Sequence, residues 1–248
     1  MTEPQSPGPR TGGSPGTGQG ARERVLRRVR AAIGDDVADR ERRVDTEYAA
    51  LPRKYLAAHH EPADHDIVAL FTERAADYRA VVERVPVSAL PAAVARVLGE
   101  RAASVSAAAR ASFIVPQGLP GEWLARCVED CPGAALITDD PPLATAVLDA
   151  AAGVVTGCAV AIAETGTIVL DHGPGQGRRA VTLVPDFHLV VVRHDQVAAD
   201  LPGAFARLDP GRPHTLISGP SATSDIELVR VEGVHGPRTL HVLIADPG

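Results

Sequence analysis

Cysteine and aromatic residues are scarce in this 248-residue sequence, which has three cysteines, one tryptophan and one methionine. Cys127, Cys131 and Cys158 are too few and too irregularly spaced for a disulfide framework. The sequence contains no C-x-x-C pair, so it predicts neither a zinc site nor an iron–sulfur site in this chain. This cysteine usage favours a protein of the reducing cytoplasm.

The sequence also lacks a net positive charge and long apolar runs. The formal net charge is -6 and the isoelectric point is about 5.8, which argues against a broad surface for nucleic acid. No uncharged apolar run approaches the roughly 18 residues of a membrane-spanning helix. The first twenty residues lack the apolar core of a signal peptide. We therefore expect a soluble protein with neither a membrane span nor a nucleic-acid partner.

The N-terminal third divides into a tail and a helical region. Residues 1–20 are nearly all Gly, Pro, Ser, Thr and Gln, a composition that predicts a disordered tail. Residues 21–85 are predicted to be helical and packed on the main domain. Their first helix, 21–34, carries five arginines on its polar face, which suits an acidic partner or a membrane surface, or alternatively a solvated face of a docked helix. Apolar periodicity predicts a long second helix over 67–85.

A group of histidines and carboxylates, His59-His60-Glu61-Pro62 and 64–66, precedes that second helix. Imidazole and carboxylate are good metal ligands, but the spacing matches no metal motif and Pro62 interrupts it. We interpret this group as the start of a helix, with Asp64 or Asp66 as its N-cap. The prediction is that the chain has no metal site.

Residues 86–248 alternate between strand and helix signals, which predicts one α/β domain. Helices are expected at 88–98, 120–130, 140–151 and 196–207, and strands at 113–115, 134–138, 153–156, 167–170, 180–184, 189–192, 216–217 and 239–245. This order favours a mostly parallel sheet with helices on both faces. Because several strands after residue 167 follow one another without a helix, part of the sheet is expected to be antiparallel.

The stretch 163–186, AETGTIVLDHGPGQGRRAVTLVPD, has the composition of an anion site. Glu164 precedes a tight turn, Thr165-Gly166-Thr167, at a strand end, and is either a catalytic carboxylate or an acceptor that fixes the turn. A glycine loop follows, in which bare backbone amides and two arginines can hold a phosphate or carboxylate. The alternative is a tight structural turn. The loop residues in question are Gly173, Gly175, Gly177, Arg178 and Arg179.

A second polar segment, 218–225, follows a predicted strand and forms the best second wall for a pocket. It offers the hydroxyl groups of Ser221 and Thr223 and the carboxylate of Asp225. Ser221 lacks the G-x-S-x-G context of an activated nucleophile. His235 and Arg238, in the sequence GVHGPR, are expected to line the same region. Asp186 and His188, two positions apart on a strand, share one face and could form a carboxylate–imidazole pair.

The motifs AETGTIVLDHGPGQGRR and SGPSATSDIELVRVEGVHGPRTLHVLI resemble those of LUD-domain proteins, specifically the lactate-utilisation protein C (YkgG-like) family. The resemblance covers about nine tenths of the chain. It implies a three-layer α/β fold, with a mixed, mostly parallel sheet flanked by helices and an N-terminal helical extension. Sugar-phosphate isomerases, class I CoA transferases and formyltetrahydrofolate cyclo-ligases share this kind of fold.

The resemblance also implies a role in oxidising L-lactate to pyruvate, as a non-redox subunit that binds a small anionic ligand. No cofactor is expected in this chain, because the iron–sulfur clusters belong to cysteine-rich and iron–sulfur partner proteins. Two alternatives stay open: a free-standing acyl or CoA transferase or nucleotide-dependent ligase, and a structural or regulatory assembly factor. Enzymatic activity of the isolated chain and a homo-oligomeric state are left open by the sequence.

Overall fold

The computed structural model describes residues 17–33, 37–54, 58, 66–105, 111–223, 231–232 and 236–248. The chain divides into two compact units, Met1–Tyr55 and Leu56–Gly248. The first unit contains helices α1 (Thr17–Ile33) and α2 (Val37–Ala50), so α1 begins inside the tail that composition predicts to be disordered. None of the helices in the described ranges is long and apolar enough to cross a bilayer.

The second unit is built from strands and short helices in alternation. Its helices are α3 (Ile67–Asp77), α4 (Leu90–Val105), α5 (Cys127–Asp130), α6 (Thr145–Ala150), α7 (Arg179–Leu183) and α8 (Leu201–Phe205), with 3₁₀ turns at Val87–Ala89, Gly121–Leu124 and His194–Gln196. Its strands are β1 (Val81–Pro86), β2 (Ala111–Val115), β3 (Ala134–Thr138), β4 (Gly153–Thr156), β5 (Val160–Ile162), β6 (Thr167–Leu170), β7 (Phe187–Arg193), β8 (Val197–Ala198), β9 (Thr215–Ile217), β10 (Ala222–Thr223), β11 (Val231–Glu232) and β12 (Thr239–Asp246).

Six of these strands form an all-parallel sheet in the order β1-β12-β7-β4-β2-β3. A second, four-stranded sheet has the order β8-β5-β6-β9, and in it β6 is antiparallel to both of its neighbours. The predicted α/β fold with a mostly parallel sheet is thus confirmed. The antiparallel strands belong to the second sheet, while β10 and β11 form a separate antiparallel pair.

Both faces of the parallel sheet are covered, which explains why its central strands are continuous apolar runs. On one face, α4 packs through Leu98 against β7 and β12, together with Leu189 and Leu243. On the other face, α3 and the second sheet pack through Phe71 and Ile168 against Val190, Val242 and their neighbours. Side chains of β7 therefore alternate between two cores, as the period of two along a strand requires.

Several predicted elements have different bounds or structures; the helix predicted over 140–151, for example, begins only at Thr145. The helix predicted over 67–85 ends at Asp77, because Arg79 takes a positive φ of 69° and Val81–Pro86 then pairs with β12 as an edge strand. Residues 180–184, predicted as a strand, belong mostly to α7, since a segment of five residues, four of them apolar, cannot distinguish a strand from a buried helical turn. The helix predicted over 196–207 is limited to α8 and is preceded by β8.

The predicted cap of α3 is confirmed. The Asp66 carboxylate accepts hydrogen bonds from the backbone amides of Val68 (3.1 Å) and Ala69 (3.0 Å). These bonds satisfy two of the donors that every helix N-terminus leaves without an intrahelical partner. The rest of this group of histidines and carboxylates, residues 59–65, lies outside the described residues.

We predict that Gly153→Ala destabilises the protein by about 1–3 kcal/mol, because overpacking a core forces its neighbours to move. A Cβ atom at Gly153, in β4, would lie 2.7 Å from Phe187 Cδ1 and 2.8 Å from the Phe187 carbonyl oxygen. Urea denaturation measures the free energy of unfolding. Gly121→Ala is the control, since a Cβ there meets no atom within 4 Å; equal stability of the two variants would contradict the prediction.

Candidate functional site

The glycine loop, residues 173–177, lies at the carboxyl edge of the parallel sheet. The Gly175 amide donates a hydrogen bond to the Gln117 carbonyl (2.8 Å), and the Gly157 amide donates one to the Gly175 carbonyl (2.9 Å). Gln117 lies beyond β2 and Gly157 follows β4, so the loop joins two neighbouring strand ends. β2 lies between β3 and β4, where the connections diverge, and open parallel sheets commonly bind ligands at such a point. Here the backbone of the loop itself occupies that position.

Close packing explains the glycines of this loop. Gly175 and Gly177 have φ values of +74° and +72°, a region that strongly favours glycine. A Cβ at Gly177 would lie 2.7 Å from Val181 Cγ2. Gln176 also braces the loop, since its Nε2 donates to Asp171 Oδ1 (2.6 Å) and its Oε1 accepts from the Asp171 amide (2.7 Å). The described contacts of the loop are therefore those of a packed turn.

Arg178 faces a cavity of about 690 Å³ beside this loop, which we call the carboxyl-edge cavity. Its lining residues are Pro116, Gln117, Gly118, Asp139, Asp140, Pro142, His172, Gly173, Pro174, Gly177, Arg178 and Arg212. Both arginines are paired with carboxylates: Arg178 Nε lies 2.7 Å from Asp139 Oδ2, and Arg212 Nη1 lies 2.7 Å from Asp171 Oδ2. Partial burial on its own would raise the pKa of Asp139. Hydrogen bonds from Arg178 and the Leu143 amide outweigh this effect and hold the pKa below its ordinary value.

A second cavity, of about 280 Å³, lies at the opposite end of the sheet, beside the amino ends of β7 and β12. We call it the amino-edge cavity. The segment that leaves β9 forms one wall and α7 forms another. Its lining residues are Arg179, Thr182, Leu183, His188, Thr215, Leu216, Ile217, Ser218, Gly219, Pro220, Ser221, Gly236, Pro237 and Leu240. The two adjacent arginines of the glycine motif thus face two different cavities.

Arg179 is held by a chain of hydrogen bonds whose directions follow from the chemistry of each group. His172 Nδ1 lies 3.0 Å from the Gly177 carbonyl, which only accepts, so in neutral His172 this nitrogen carries the hydrogen. His172 Nε2 then accepts from the Thr215 hydroxyl (3.0 Å), and Thr215 Oγ1 accepts from Arg179 Nη1 (2.9 Å). Within the described part of the chain, Arg179 has no carboxylate partner, unlike Arg178.

The Thr165-Gly166-Thr167 turn is connected to the wall of the amino-edge cavity by hydroxyl groups. Thr167 Oγ1 lies 2.7 Å from Thr165 Oγ1 and 2.8 Å from Ser218 Oγ. Gly166, with a φ of +60°, lies directly against the end of α3, where a Cβ would come within 2.5 Å of the Ala75 amide nitrogen. Two segments singled out in the sequence, 163–167 and 218–221, are therefore adjacent in space.

His188, which the sequence suggested as a partner of Asp186, lies beside this cavity. It lies in β7 and is fully buried, and its Nε2 is 2.8 Å from Thr156 Oγ1. Its Nδ1 is buried and has no hydrogen-bond partner within the described part of the chain. Burial lowers the pKa of His188 to about 3, so the imidazole is neutral at physiological pH. One feature of the sequence could have indicated this burial: the histidine lies inside an apolar run, FHLVVV, of the kind that forms a strand covered on both faces.

The remaining predicted residues are distributed as follows. Glu164 is half-buried and its amide donates to the Ala199 carbonyl (3.0 Å). Arg238 forms a two-pronged ion pair with Asp186, through Nε to Oδ1 (2.5 Å) and Nη2 to Oδ2 (2.9 Å), so Asp186 pairs with Arg238 and His188 pairs with Thr156. Thr223 belongs to β10, and its side chain is not among those described. Asp225 and His235 lie outside the described residues.

Comparison with known proteins assigns the family. The LUD domain family profile matches residues 143–245. The lactate utilization protein C of Deinococcus radiodurans is 49% identical over 183 residues, which cover 72% of this chain and 79% of that protein. The chain belongs to the lactate utilization protein C family.

Lactate utilization protein C of Bacillus pumilus is 39% identical over 95 residues, 34% of this chain and 39% of that protein. The uncharacterized protein YkgG of Escherichia coli is 33% identical over 94 residues, 34% and 40% of the two chains.

A solved structure agrees with this family. The crystal structure of a DUF162 family protein from Deinococcus radiodurans is 41% identical in sequence and superposes with a TM-score of 0.57, covering 73% of this chain and 96% of that chain. In this lactate utilization protein C family member, every residue lining the amino-edge cavity lies within the matched LUD segment, 143–245. Part of the carboxyl-edge cavity, Pro116 to Gly118 and Asp139 to Pro142, precedes that segment.

We predict that His188 makes the protein less stable as the pH falls below about 6.5. Its pKa in the folded state, about 3, lies below the ordinary value of 6.5, so protons bind preferentially to the unfolded chain between those two values. The contribution of His188 to the free energy of unfolding should decline by about 1.4 kcal/mol per pH unit within that window and be fully present above it. Urea denaturation at pH 7.5 and pH 5 measures the decline. His188→Gln should show a smaller pH dependence than the unmodified protein, and an identical dependence would contradict the prediction.

Proposed function

We propose that this protein is a non-redox subunit of a lactate-utilisation system and that it binds a small anionic ligand in the amino-edge cavity. The names of its relatives support a role in lactate utilisation. The lining of the cavity supports the anionic ligand. The proposal assigns the electron-transfer chemistry to partner proteins that carry iron–sulfur clusters.

The observation that carries the ligand-binding part is the placement of Arg179. Its guanidinium is exposed at the cavity, is oriented by Thr215 and has no carboxylate partner in the described ranges. Guanidinium groups bind carboxylates and phosphates through charge-assisted hydrogen bonds. The Ser218 hydroxyl lines the same cavity and can donate to an anion, whereas the Thr182 hydroxyl donates to the Arg179 carbonyl (3.3 Å).

The state of the three thiols supports the non-redox assignment. Cys127, Cys131 and Cys158 are all buried. Burial raises the pKa of Cys127 to about 11 and that of Cys158 to about 12, and it also raises the pKa of Cys131. Iron–sulfur clusters are held by thiolates, whereas these groups are protonated at neutral pH. Cys127 and Cys131 lie in the core beside α4, and Cys158 lies in the core on the other face of the sheet.

We expect Arg179→Met to lower the affinity for L-lactate and for inorganic phosphate at least ~10-fold, because one charge-assisted hydrogen-bond partner is worth about 1.5–3 kcal/mol. Isothermal titration calorimetry of the purified full-length chain measures both dissociation constants. Arg212→Met is the matched control, since that guanidinium is already paired with Asp171 at the other cavity. If Arg212→Met abolishes binding and Arg179→Met does not, the ligand belongs to the carboxyl-edge cavity.

We expect deletion of the gene to abolish growth on L-lactate as the carbon source, and the unmodified gene to restore growth. A tagged chain recovered from those cells should carry iron-containing partner proteins, measured as iron content and identified by mass spectrometry. Glu164→Gln should restore growth, because a non-redox binding subunit needs no carboxylate nucleophile. Loss of growth with a folded Glu164→Gln variant would favour the transferase alternative, and normal growth of the deletion strain would contradict a role in lactate utilisation.

A further inference from the structure

We infer that α1 (Thr17–Ile33) docks on an anionic lipid surface, lying flat along it with its apolar stripe towards the acyl chains and its arginines at the phosphate groups. This inference concerns the N-terminal unit and is independent of the anion site proposed above. It comes from two properties of one helix, a stripe of exposed apolar side chains and a concentration of positive charge.

The apolar stripe of α1 consists of Val25, Leu26 and Val29. Val25 is 60% exposed and Val29 is 46% exposed, and Leu26 beside them is half-buried. Because an α-helix has 3.6 residues per turn, these three positions fall on one side of α1. Apolar side chains that form a continuous exposed surface, bordered by polar residues, mark a site of interaction with a partner or a membrane.

The charge of α1 is strongly positive. Five arginines against one glutamate give the helix a formal charge of +4, although the whole chain has a charge of -6. By the same helical geometry, Arg28 and Arg30 flank the apolar stripe on its two sides, while Arg24 and Arg27 lie on the opposite face. All five arginines are exposed, and within the described ranges none of them has a carboxylate partner. This unbalanced charge attracts an anionic surface.

The composition of α1 favours a lipid surface over an acidic protein. Protein interfaces depend on large anchors, mainly Trp, Tyr and Arg, that fill pockets of the partner, and α1 has no aromatic residue. Its valine and leucine side chains instead suit shallow insertion between lipids. A layer of lipid phosphates also meets the arginines on both flanks of the stripe at once. A basic polar face, low net hydrophobicity and an apolar stripe are together typical of helices that lie in the membrane interface.

The test measures co-sedimentation of the full-length chain with lipid vesicles. Vesicles of equal parts phosphatidylcholine and phosphatidylglycerol should bind the chain at least ~20-fold more tightly than vesicles of phosphatidylcholine alone, because only the former carry negative charge. Raising the KCl concentration from about 0.05 M to about 0.5 M should weaken binding to the anionic vesicles, since salt screens the attraction. Equal binding to both kinds of vesicle, or binding to neither, would overturn the inference.

Two double variants localise the contact at α1. Arg27→Gln with Arg28→Gln should weaken binding about 25-fold, since each arginine near an anionic surface contributes about fivefold (about 1 kcal/mol). Glutamine forms helices about as well as arginine, so the helix is retained. The control, Arg126→Gln with Arg193→Gln, removes the same charge from exposed arginines that already have carboxylate partners and should change the affinity less than ~2-fold. Equal loss in both double variants would assign the binding to overall charge and overturn the inference.

A fluorescent label reports which face of α1 enters the lipid. The three native thiols are buried, so a cysteine introduced on this exposed helix can be labelled selectively. A nitrobenzoxadiazole fluorophore attached to a Val29→Cys variant should shift its emission to shorter wavelength on anionic vesicles, because it leaves water. The same label on Ala31→Cys, on the opposite face, should keep the emission it has in water. Absence of a shift at position 29, or an equal shift at both positions, would overturn the inference.

Discussion

The parallel pairing of β7 between β4 and β12 is the constraint on which the rest of the structure depends. In this register Val154 is opposite His188, and His188 is opposite Leu240. Because both faces of the sheet are covered, the backbone of β7 is saturated by its neighbours and its side chains must enter one core or the other. A histidine in that position has no route to water, and its polar atoms depend on groups brought to it by other elements.

The same pairing assigns different roles to the two ends of the sheet. At the carboxyl edge, main-chain hydrogen bonds of the glycine loop join the ends of β2 and β4, and the arginines there are neutralised by aspartates. At the amino edge, Arg179 donates to the uncharged hydroxyl group of Thr215, which in turn contacts His172. Charge that is balanced inside the protein contributes to folding, whereas charge held by neutral neighbours remains able to attract an anion. The amino edge is for this reason the better candidate site.

The sequence predicted several strands of the two sheets well, because each of these strands is an apolar run bounded by residues that break strands. The bounds of β3, β4 and β6 coincide with the predicted ranges 134–138, 153–156 and 167–170. The predictions were wrong for two short segments, α7 and β1, whose secondary structure is decided by tertiary pairing. Neither segment is long enough to show a period.

The candidate site could be predicted from the sequence only in part. The motif that contains Thr167 and the segment that begins at Ser218 were both identified, and their hydroxyls do meet. Sequence proximity grouped Arg178 with Arg179, but Arg178 has extended dihedral angles immediately before α7 and the two side chains line different cavities. The burial of His188 and its contact with Thr156 could not be recognised, because that environment is made by strands that are distant in the chain.

The buried cysteines have a further consequence for the chemical reactivity of the chain. With a pKa of about 11, the Cys127 thiol exists as thiolate in on the order of one molecule in ten thousand at neutral pH. Thiolate is the form that reacts with peroxide, disulfides and alkylating reagents, and buried structural cysteines are correspondingly inert. Burial therefore protects these thiols from oxidation by air. As far as its cysteines are concerned, ligand binding to the purified chain can therefore be measured without anaerobic handling.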